Sequence, residues 1–352
     1  MTSETEAAER QGPTLGELIV RLARSETLDV EAAEAAFVEV MEGRATPVQM
    51  AALLVALRVR GETSAEIAGG VRALRRAMVP VPVTQGEDVV DTCGTGGGAV
   101  TTFNISTAAA LVAAAAGVRI AKHGNRSFSS RCGSADVLDA LGVRIELTPE
   151  QMGAVLERAG IVFMFAPLLH PAMRHVAPIR RELAVPTIMN VLGPLTNPAS
   201  ARRQVVGVAD PALLELIAGA LLELGHTHAL IVHGQPGLDE LSPIGQTDAI
   251  EVRDGELRRL QLAPADFGWG ALDPAGLAGG DPADNARIIR ELFAGTLRGA
   301  ARAAVTLNAG AAIYVSGRAA SLNDGVATAE AALDDGAAAA TLERLRVATH
   351  AV

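Results

Sequence analysis

The chain has 352 residues, of which 49% are hydrophobic and 20% charged, with a formal net charge of -10. That charge argues against a general nucleic-acid binder, which relies on Lys and Arg to displace counterions from phosphates, so an anionic ligand must be met by a local site. Two cysteines, Cys93 and Cys132, are too few for a disulfide framework and point to a reduced, cytoplasmic setting, while the length allows two domains or one large α/β domain with an appendage.

Residues 1–12 are acidic and polar, lack the basic-then-apolar run of a signal peptide, and are expected to form a disordered tail. From residue 13 to about 80 the pattern is helical throughout, with helices over Leu15–Ala23, Val30–Glu42, Pro47–Arg60 and Ser64–Ala77. Thr46 before Pro47 is an N-cap with Pro at the first helical position, and Ser64 followed by Glu66 opens the next helix. Four helices without a strand imply a small all-α domain, and the Pro-rich MVPVPVTQGED, Met78 to Asp88, reads as a linker.

Beyond it, from about residue 86 to 352, short apolar strands alternate with helices. Strands are expected at Val89–Thr92, Val118–Ala121, Val162–Ala166, Thr187–Asn190, Val205–Val208 and Ala229–His233. Helices are expected at Ser106–Ala116, Ala135–Leu141, Pro149–Ala159, Met173–Leu183, Pro211–Leu224, Asp284–Ala294, Ala300–Ser316 and Gly325–Arg346. This alternation implies an α/β domain with a mainly parallel central sheet and ligands at the carboxyl ends of its strands. The charge-free run between Asp91 and Arg119 is long enough to cross a bilayer, but its Gly, Thr, Ser and Asn content suits a buried loop and helix instead, and no membrane partner is expected.

Four segments carry chemistry. In DTCGTGGGAVTTFNIST the glycines Gly94, Gly96, Gly97 and Gly98 follow a strand, and Gly94, Gly96 and Ala99 satisfy a dinucleotide-type G-x-G-x-x-A. In a dinucleotide fold, however, the helix starts within the fingerprint and an acid follows about 20 residues later. Here the helix signal comes only at Asn104–Thr107 and the next acid after Asp91 is Asp136; nor does Gly-Lys-Ser/Thr follow, which excludes a P-loop. Two readings remain: a tight strand-to-helix turn, or an open loop whose amides wrap an anion larger than one phosphate. Asn104 and Ser106 are ordinary helix caps, yet a helix N-terminus at the same strand end also makes a second anion site.

The third segment, KHGNRSFSSRCGSADVLDALG, crowds Lys122, His123, Asn125, Arg126, Ser127, Ser129, Ser130 and Arg131 into ten residues after a strand, with Ser134 as a helix cap and Asp136 in the first turn. Arg131 alone reads as a solvated charge. The fourth, GLDELS, sets Asp239 and Glu240 in a loop after a strand; such a pair occurs on exposed turns, but beside two phosphate sites it suits Mg²⁺, which takes one or two carboxylates and shares its shell with water and phosphate. His123, His170 and His175 fit no compact metal site.

With GTGG, NIST, KHGNRS, GSADVLDALG, HPAMRHVAPIRREL, NVLGPLTNP and GLDEL in order from about Leu15 to the C-terminal helices, the chain resembles the anthranilate phosphoribosyltransferases. The resemblance implies a small helical domain that forms a homodimer contact, joined by the helices around 170–185, beside the α/β domain with the active site in the cleft. It implies phosphoribosyl transfer from phosphoribosyl pyrophosphate (PRPP) to anthranilate in tryptophan biosynthesis. PRPP would be bound by Gly94, Gly97, Gly98, Thr102, Asn104, Ile105, Ser106, Thr107, Lys122, His123, Gly124, Asn125, Arg126, Ser127, Phe128, Ser129, Ser130 and Ser134. It also implies anthranilate at Gly94, Asn125 and Arg180, whose planar guanidinium suits a carboxylate, and Mg²⁺ through Ser106, Asp239 and Glu240. No covalent or acid–base catalytic residue is expected. One position departs from the pattern: the family loop reads Gly-Thr-Gly-Gly-Asp, and here the last residue is Gly98. A pyrimidine nucleoside phosphorylase and a non-enzymatic nucleic-acid-binding relative of the fold are the alternatives.

Overall fold

A computed structural model describes residues 12–84, 88–98, 100–127 and 131–352. In chain order the helices α1 (Leu15–Ala23), α2 (Val30–Met41), α3 (Pro47–Arg60) and α4 (Ser64–Ala77) come first. Then follow β1 (Val89–Gly94), α5 (Ile105–Ala115), β2 (Arg119–Gly124), α6 (Ser134–Ala140), α7 (Pro149–Ala159), β3 (Ile161–Phe165), α8 (Ala166–Leu169), α9 (Met173–Leu183) and α10 (Met189–Leu192). The chain continues through β4 (Arg203–Gly207), α11 (Leu213–Glu223), β5 (His228–Gly234), β6 (Thr247–Arg253), β7 (Glu256–Leu262), α12 (Pro282–Phe293), α13 (Ala300–Val315), α14 (Leu322–Asp334) and α15 (Ala337–His350).

Two compact units result: one comprises the chain up to Met78 plus Pro171–Leu192, the other Val79–His170 plus Gly193–Val352. In the helical unit Thr14, Thr46 and Thr63 each cap a helix and close a capping box with Glu17, Gln49 and Glu66. The cap of α4 is thus Thr63, one residue before the expected Ser64. Gly69 brings α4 so close to α2 that a Cβ there would lie 2.6 Å from the Ala33 Cβ. Buried Glu66 accepts from the Leu28 amide at 2.9 Å and pairs with Arg60, so its charge is compensated.

In the α/β unit the seven-stranded sheet has the order β3-β2-β1-β4-β5-β6-β7. Strands β3, β2, β1, β4 and β5 run parallel, and β6 and β7 continue antiparallel. β3 is buried at all five positions and β4 at four of five, the mark of parallel strands covered on both faces. Chain order reverses between β1 and β4, so a crevice opens at their carboxyl ends, where open α/β sheets bind ligands. The Ala-rich α5 is buried along nearly its whole length and packs against α13 and α15. Small side chains let these helices nest closely, which explains a core so poor in aromatics.

Four expectations are corrected. Thr187–Asn190 is no strand: Met189–Leu192 is a short helix of the helical unit, and β-branched Thr187 and Ile188 only precede it. The β6–β7 hairpin lay outside the expected strands because β7 is largely exposed and reads ELRRLQL, with no apolar run. The helix expected over Gly325–Arg346 is two, separated at Asp335 and Gly336, where Gly336 takes φ +78°. The expected linker is partly structure: Val79 donates to Leu169 O at 2.8 Å and Val81 to Pro198 O at 3.0 Å, fastening that stretch to the α/β unit. The expected tail falls mostly outside the described residues. Among the described residues no helix is long and apolar enough to cross a membrane. The charge-free run after Asp91 instead forms the end of β1, the glycine loop and the buried α5.

Candidate active site

The glycine loop leaves β1 beside Gly207, the last residue of β4, to which Gly94 is the register partner. Gly96 and Gly97 have φ of +68° and +80°, conformations that cost other residues energy, so these two glycines are required by the turn itself. The loop closes around a carboxylate. The Gly96 amide donates to Asp239 Oδ2 at 3.1 Å, and Cβ atoms at Gly94 and Gly98 would stand 3.0 and 3.2 Å from the two Asp239 oxygens. Asp239 and its neighbour Glu240 follow β5, whose continuation is held by Asn308: its Oδ1 accepts from the Leu241 amide at 3.0 Å and its Nδ2 donates to Leu241 O at 3.0 Å.

Glu240 reaches the start of α5. Asn104 at the N-cap makes no side-chain cap bond, and the Ser106 amide instead donates to Glu240 Oε1 at 3.1 Å. A carboxylate 134 residues away in sequence thus caps the helix whose N-terminus carries partial positive charge. Part of Glu240 reaches the surface, but its carboxyl is enclosed; burial, then the Asp239 charge, push its pKa up to about 8, with Lys122 pulling the other way. Burial raises Asp239 as well. Two adjoining carboxylates held in this way are short of positive charge.

Lys122 is 2% exposed; its ammonium donates to Thr92 O and lies 3.4 Å from both Thr92 Oγ1 and Ser106 Oγ. Burial lowers its pKa, and the nearby Asp91 opposes the shift. Asp91, fully buried in β1, accepts from the His123 amide at 3.1 Å and from Asn197 Nδ2 at 2.8 Å, which binds β1 to β2 and to the start of the 197–200 turn. His123 Nε2 is 3.0 Å from His170 Nε2, and burial lowers both rings, to about 3 and about 4, so this is a pair of neutral imidazoles.

Past Gly124 the loop turns back onto α6. The Asn125 carbonyl accepts from the Ala135 amide at 3.2 Å, and Asn125 itself is exposed. Arg126 pairs with Asp136 at 2.9 Å and Asp139 at 2.6 Å, so its charge is engaged by the helix that follows. Asp136 also accepts from the amides of Ser127 (3.0 Å) and Gly133 (2.9 Å), and Gly133, not Ser134, stands at the N-cap. Thr107 is buried and its hydroxyl has no partner among the described residues, so the exposed face of the NIST turn is formed by its neighbours. Thr102 forms an isolated bridge with Ala278. Phe128, Ser129 and Ser130 lie outside the described residues.

Arg180 belongs to the other unit, on α9. Its pKa is lowered by burial, its Nη2 reaches Asn190 Oδ1 at 3.5 Å, and no carboxylate pairs with it among the described residues. Arg181 is exposed, as a solvated neighbour should be.

The family model of the glycosyl transferase family a/b domain matches residues 86–339, and that of its helical bundle domain matches 16–78. The anthranilate phosphoribosyltransferase of Rubrobacter xylanophilus is 54% identical over 330 residues, covering 94% of this chain and 96% of its own. The chain belongs to the anthranilate phosphoribosyltransferase family. A crystal structure of the Thermus thermophilus family member superposes with a TM-score of 0.89 at 45% identity, covering 95% of this chain and 99% of that one. The Saccharomyces cerevisiae enzyme, solved in complex with PRPP and Mg, matches at a TM-score of 0.86 and 27% identity, over 96% and 98% of the two chains. A further structure of the yeast enzyme, in complex with 4-fluoroanthranilate, matches at 0.83 and 26%.

Within this family member, several residues of the site escape a motif reading. Gly207 lies against Asp239 so tightly that a Cβ would overlap the Asp239 carbonyl. Gly207 O also accepts from the Thr95 amide at 2.9 Å, so one strand end sets both the glycine loop and the acidic loop. A lone glycine ending an apolar strand is the only signal the sequence offers for it. Asn308, mid-helix in α13, carries no local signal at all, and Asn197, although inside NVLGPLTNP, carries none for its bond to Asp91.

Proposed function

We propose that the protein transfers the 5-phosphoribosyl group of PRPP to the amine of anthranilate, giving N-(5-phosphoribosyl)anthranilate and pyrophosphate in tryptophan biosynthesis. The observation that carries this reading is the convergence at one helix N-terminus of a glycine loop, the buried ammonium of Lys122 and two adjoining carboxylates. Amides and the ammonium match an anionic leaving group. The donor set also fits Mg²⁺: Asp239, Glu240 and the Ser106 hydroxyl are hard oxygens, and the burial that disfavours charge on the Glu240 carboxyl is offset by a divalent cation. When bound, Mg²⁺ supplies positive charge to the pyrophosphate that departs.

In this reading Gly94, Gly97, Gly98 and Thr102 line the pyrophosphate, while Asn104, Ile105, Ser106 and Thr107 offer the amides of the α5 terminus. Lys122, His123, Gly124, Asn125, Arg126 and Ser127, with Phe128, Ser129, Ser130 and Ser134, border the phosphoribosyl group. Gly94, Asn125 and Arg180 receive anthranilate. The Arg180 guanidinium, partly desolvated and without an acidic partner among the described residues, supports the pairing with a substrate carboxylate. An arylamine is neutral near pH 7 and attacks C1 as the bond to pyrophosphate breaks. No side chain has to act as base, and catalysis rests on positioning and leaving-group stabilisation.

A cytoplasmic homodimer is part of the same proposal. No disulfide joins Cys93 and Cys132 among the described residues, which suits a reducing compartment. On the helical unit Val48, Val55 and Val59 of α3, 78%, 38% and 81% exposed, form one stripe, with Val20 of the adjoining α1 49% exposed. Such a stripe invites a second copy. Val59→Asp should yield monomers in sedimentation velocity, whereas a wild-type monomer would refute the dimer. The activity is tested by mixing protein, MgCl₂ and PRPP and following loss of anthranilate fluorescence; no loss at any Mg²⁺ concentration would overturn the reading.

A further inference from the structure

The NIST turn is not held by its own capping chemistry. Its Asn104 side chain belongs to a relay of two side chains that runs between two backbone groups and joins three parts of the chain. The Gly280 amide donates to Asn285 Oδ1 at 2.8 Å, Asn285 Nδ2 donates to Asn104 Oδ1 at 2.9 Å, and Asn104 Nδ2 donates to the Cys132 carbonyl at 3.2 Å. A backbone N–H can only donate and a carbonyl can only accept, so the two ends fix both amide orientations and the relay has one direction. Asn285, on the first turns of α12, is 1% exposed.

The surrounding segment supports the same turn. The Phe103 amide donates to Leu277 O at 3.1 Å, Thr102 bridges Ala278, and a Cβ at Gly279 would overlap the Thr102 carbonyl. The stretch Leu277–Asn285 therefore lies directly against residues 102–104. Cys132 stands just before α6, so the relay also ties the entry to α6 to the start of α5.

We propose that Asn285 is a positioning residue for the phosphoribosyl site, acting through Asn104 to hold the α5 amides and the Cys132–Gly133 backbone before α6 in one arrangement. The proposal rests on the reading of this site as the one that binds PRPP. Losing one buried hydrogen bond that orients a ligand-binding turn should weaken PRPP about tenfold.

The test is PRPP binding by calorimetry with MgCl₂, together with KM for each substrate, in wild type, Asn285→Ala, the similarly branched but apolar Asn285→Leu, Asn104→Ala and the Asn104/Asn285 double alanine variant. Expected are Kd and KM for PRPP raised about tenfold in both Asn285 variants, with KM for anthranilate moved less than twofold. The double variant should bind PRPP no more weakly than Asn104→Ala alone, because the two side chains act as a unit. Unchanged PRPP affinity in folded Asn285→Ala and Asn285→Leu, or additive losses in the double variant, would overturn the role of Asn285. A wild-type protein that does not bind PRPP would instead overturn the functional reading itself.

Discussion

Gly98→Asp restores the carboxylate that the family loop carries and this chain lacks. The backbone accepts it, since Gly98 is absent from the positive-φ glycines, but its Cβ would stand 3.1 Å from Gly237 O and 3.2 Å from Asp239 Oδ1. The new charge would then lie roughly 4 to 5 Å from that of Asp239, worth about 3 to 4 kcal/mol of repulsion at an effective dielectric of 20. The loop is half-exposed, so water and salt reduce this to about 1 to 2 kcal/mol. In EDTA the variant should melt lower by roughly 2 to 8 °C, and millimolar MgCl₂ should recover the loss. The half-saturating Mg²⁺ for activity should fall about tenfold, as expected for about 1.4 kcal/mol of added attraction. KM for anthranilate should change less. The assays are thermal melts with and without Mg²⁺ and Mg²⁺ titrations of anthranilate consumption. Superimposable titrations for the two proteins would refute the argument that the loop and Asp239 share one electrostatic environment.

Gly207→Ala places a Cβ on the Asp239 carbonyl and should cost activity 100-fold or more while PRPP and Mg²⁺ titrations both shift, because the acidic loop must move; steady-state kinetics with each titrant would reveal it. Arg180→Lys should raise KM for anthranilate about tenfold and leave PRPP affinity unchanged by calorimetry, since an ammonium cannot match a carboxylate bidentately. For the His123–His170 pair, folded values of about 3 and about 4 lie below the usual 6.5, so the unfolded chain takes up the protons first. Their contribution is therefore complete above pH 6.5 and is lost as pH falls from 6.5 towards 4, at up to about 1.4 kcal/mol per pH unit for each ring. Urea denaturation at pH 7, 6 and 5 should show the decline, and His170→Gln should flatten it; an unchanged slope would contradict the buried neutral pair.

The sequence by itself determined the two kinds of domain, the strand-to-loop-to-helix course of the glycine segment, and a grouping of residue types suited to an anion. Those signals are local: period and capping for the helices, apolar runs for the buried parallel strands, and glycines where φ turns positive at Gly96 and Gly97. The exposed β7 offers no apolar run, and β-branched Thr187 and Ile188 have strand character where the chain turns into a helix. Only the tertiary structure decided what completes the site. Glu240 caps α5 from 134 residues away, Asp239 fills the glycine loop from 143 away, and Asn285 orients Asn104 from 181 away. Such partners leave no periodicity and no spacing to read, because a parallel sheet brings the ends of distant strands together through crossovers whose lengths are set by packing.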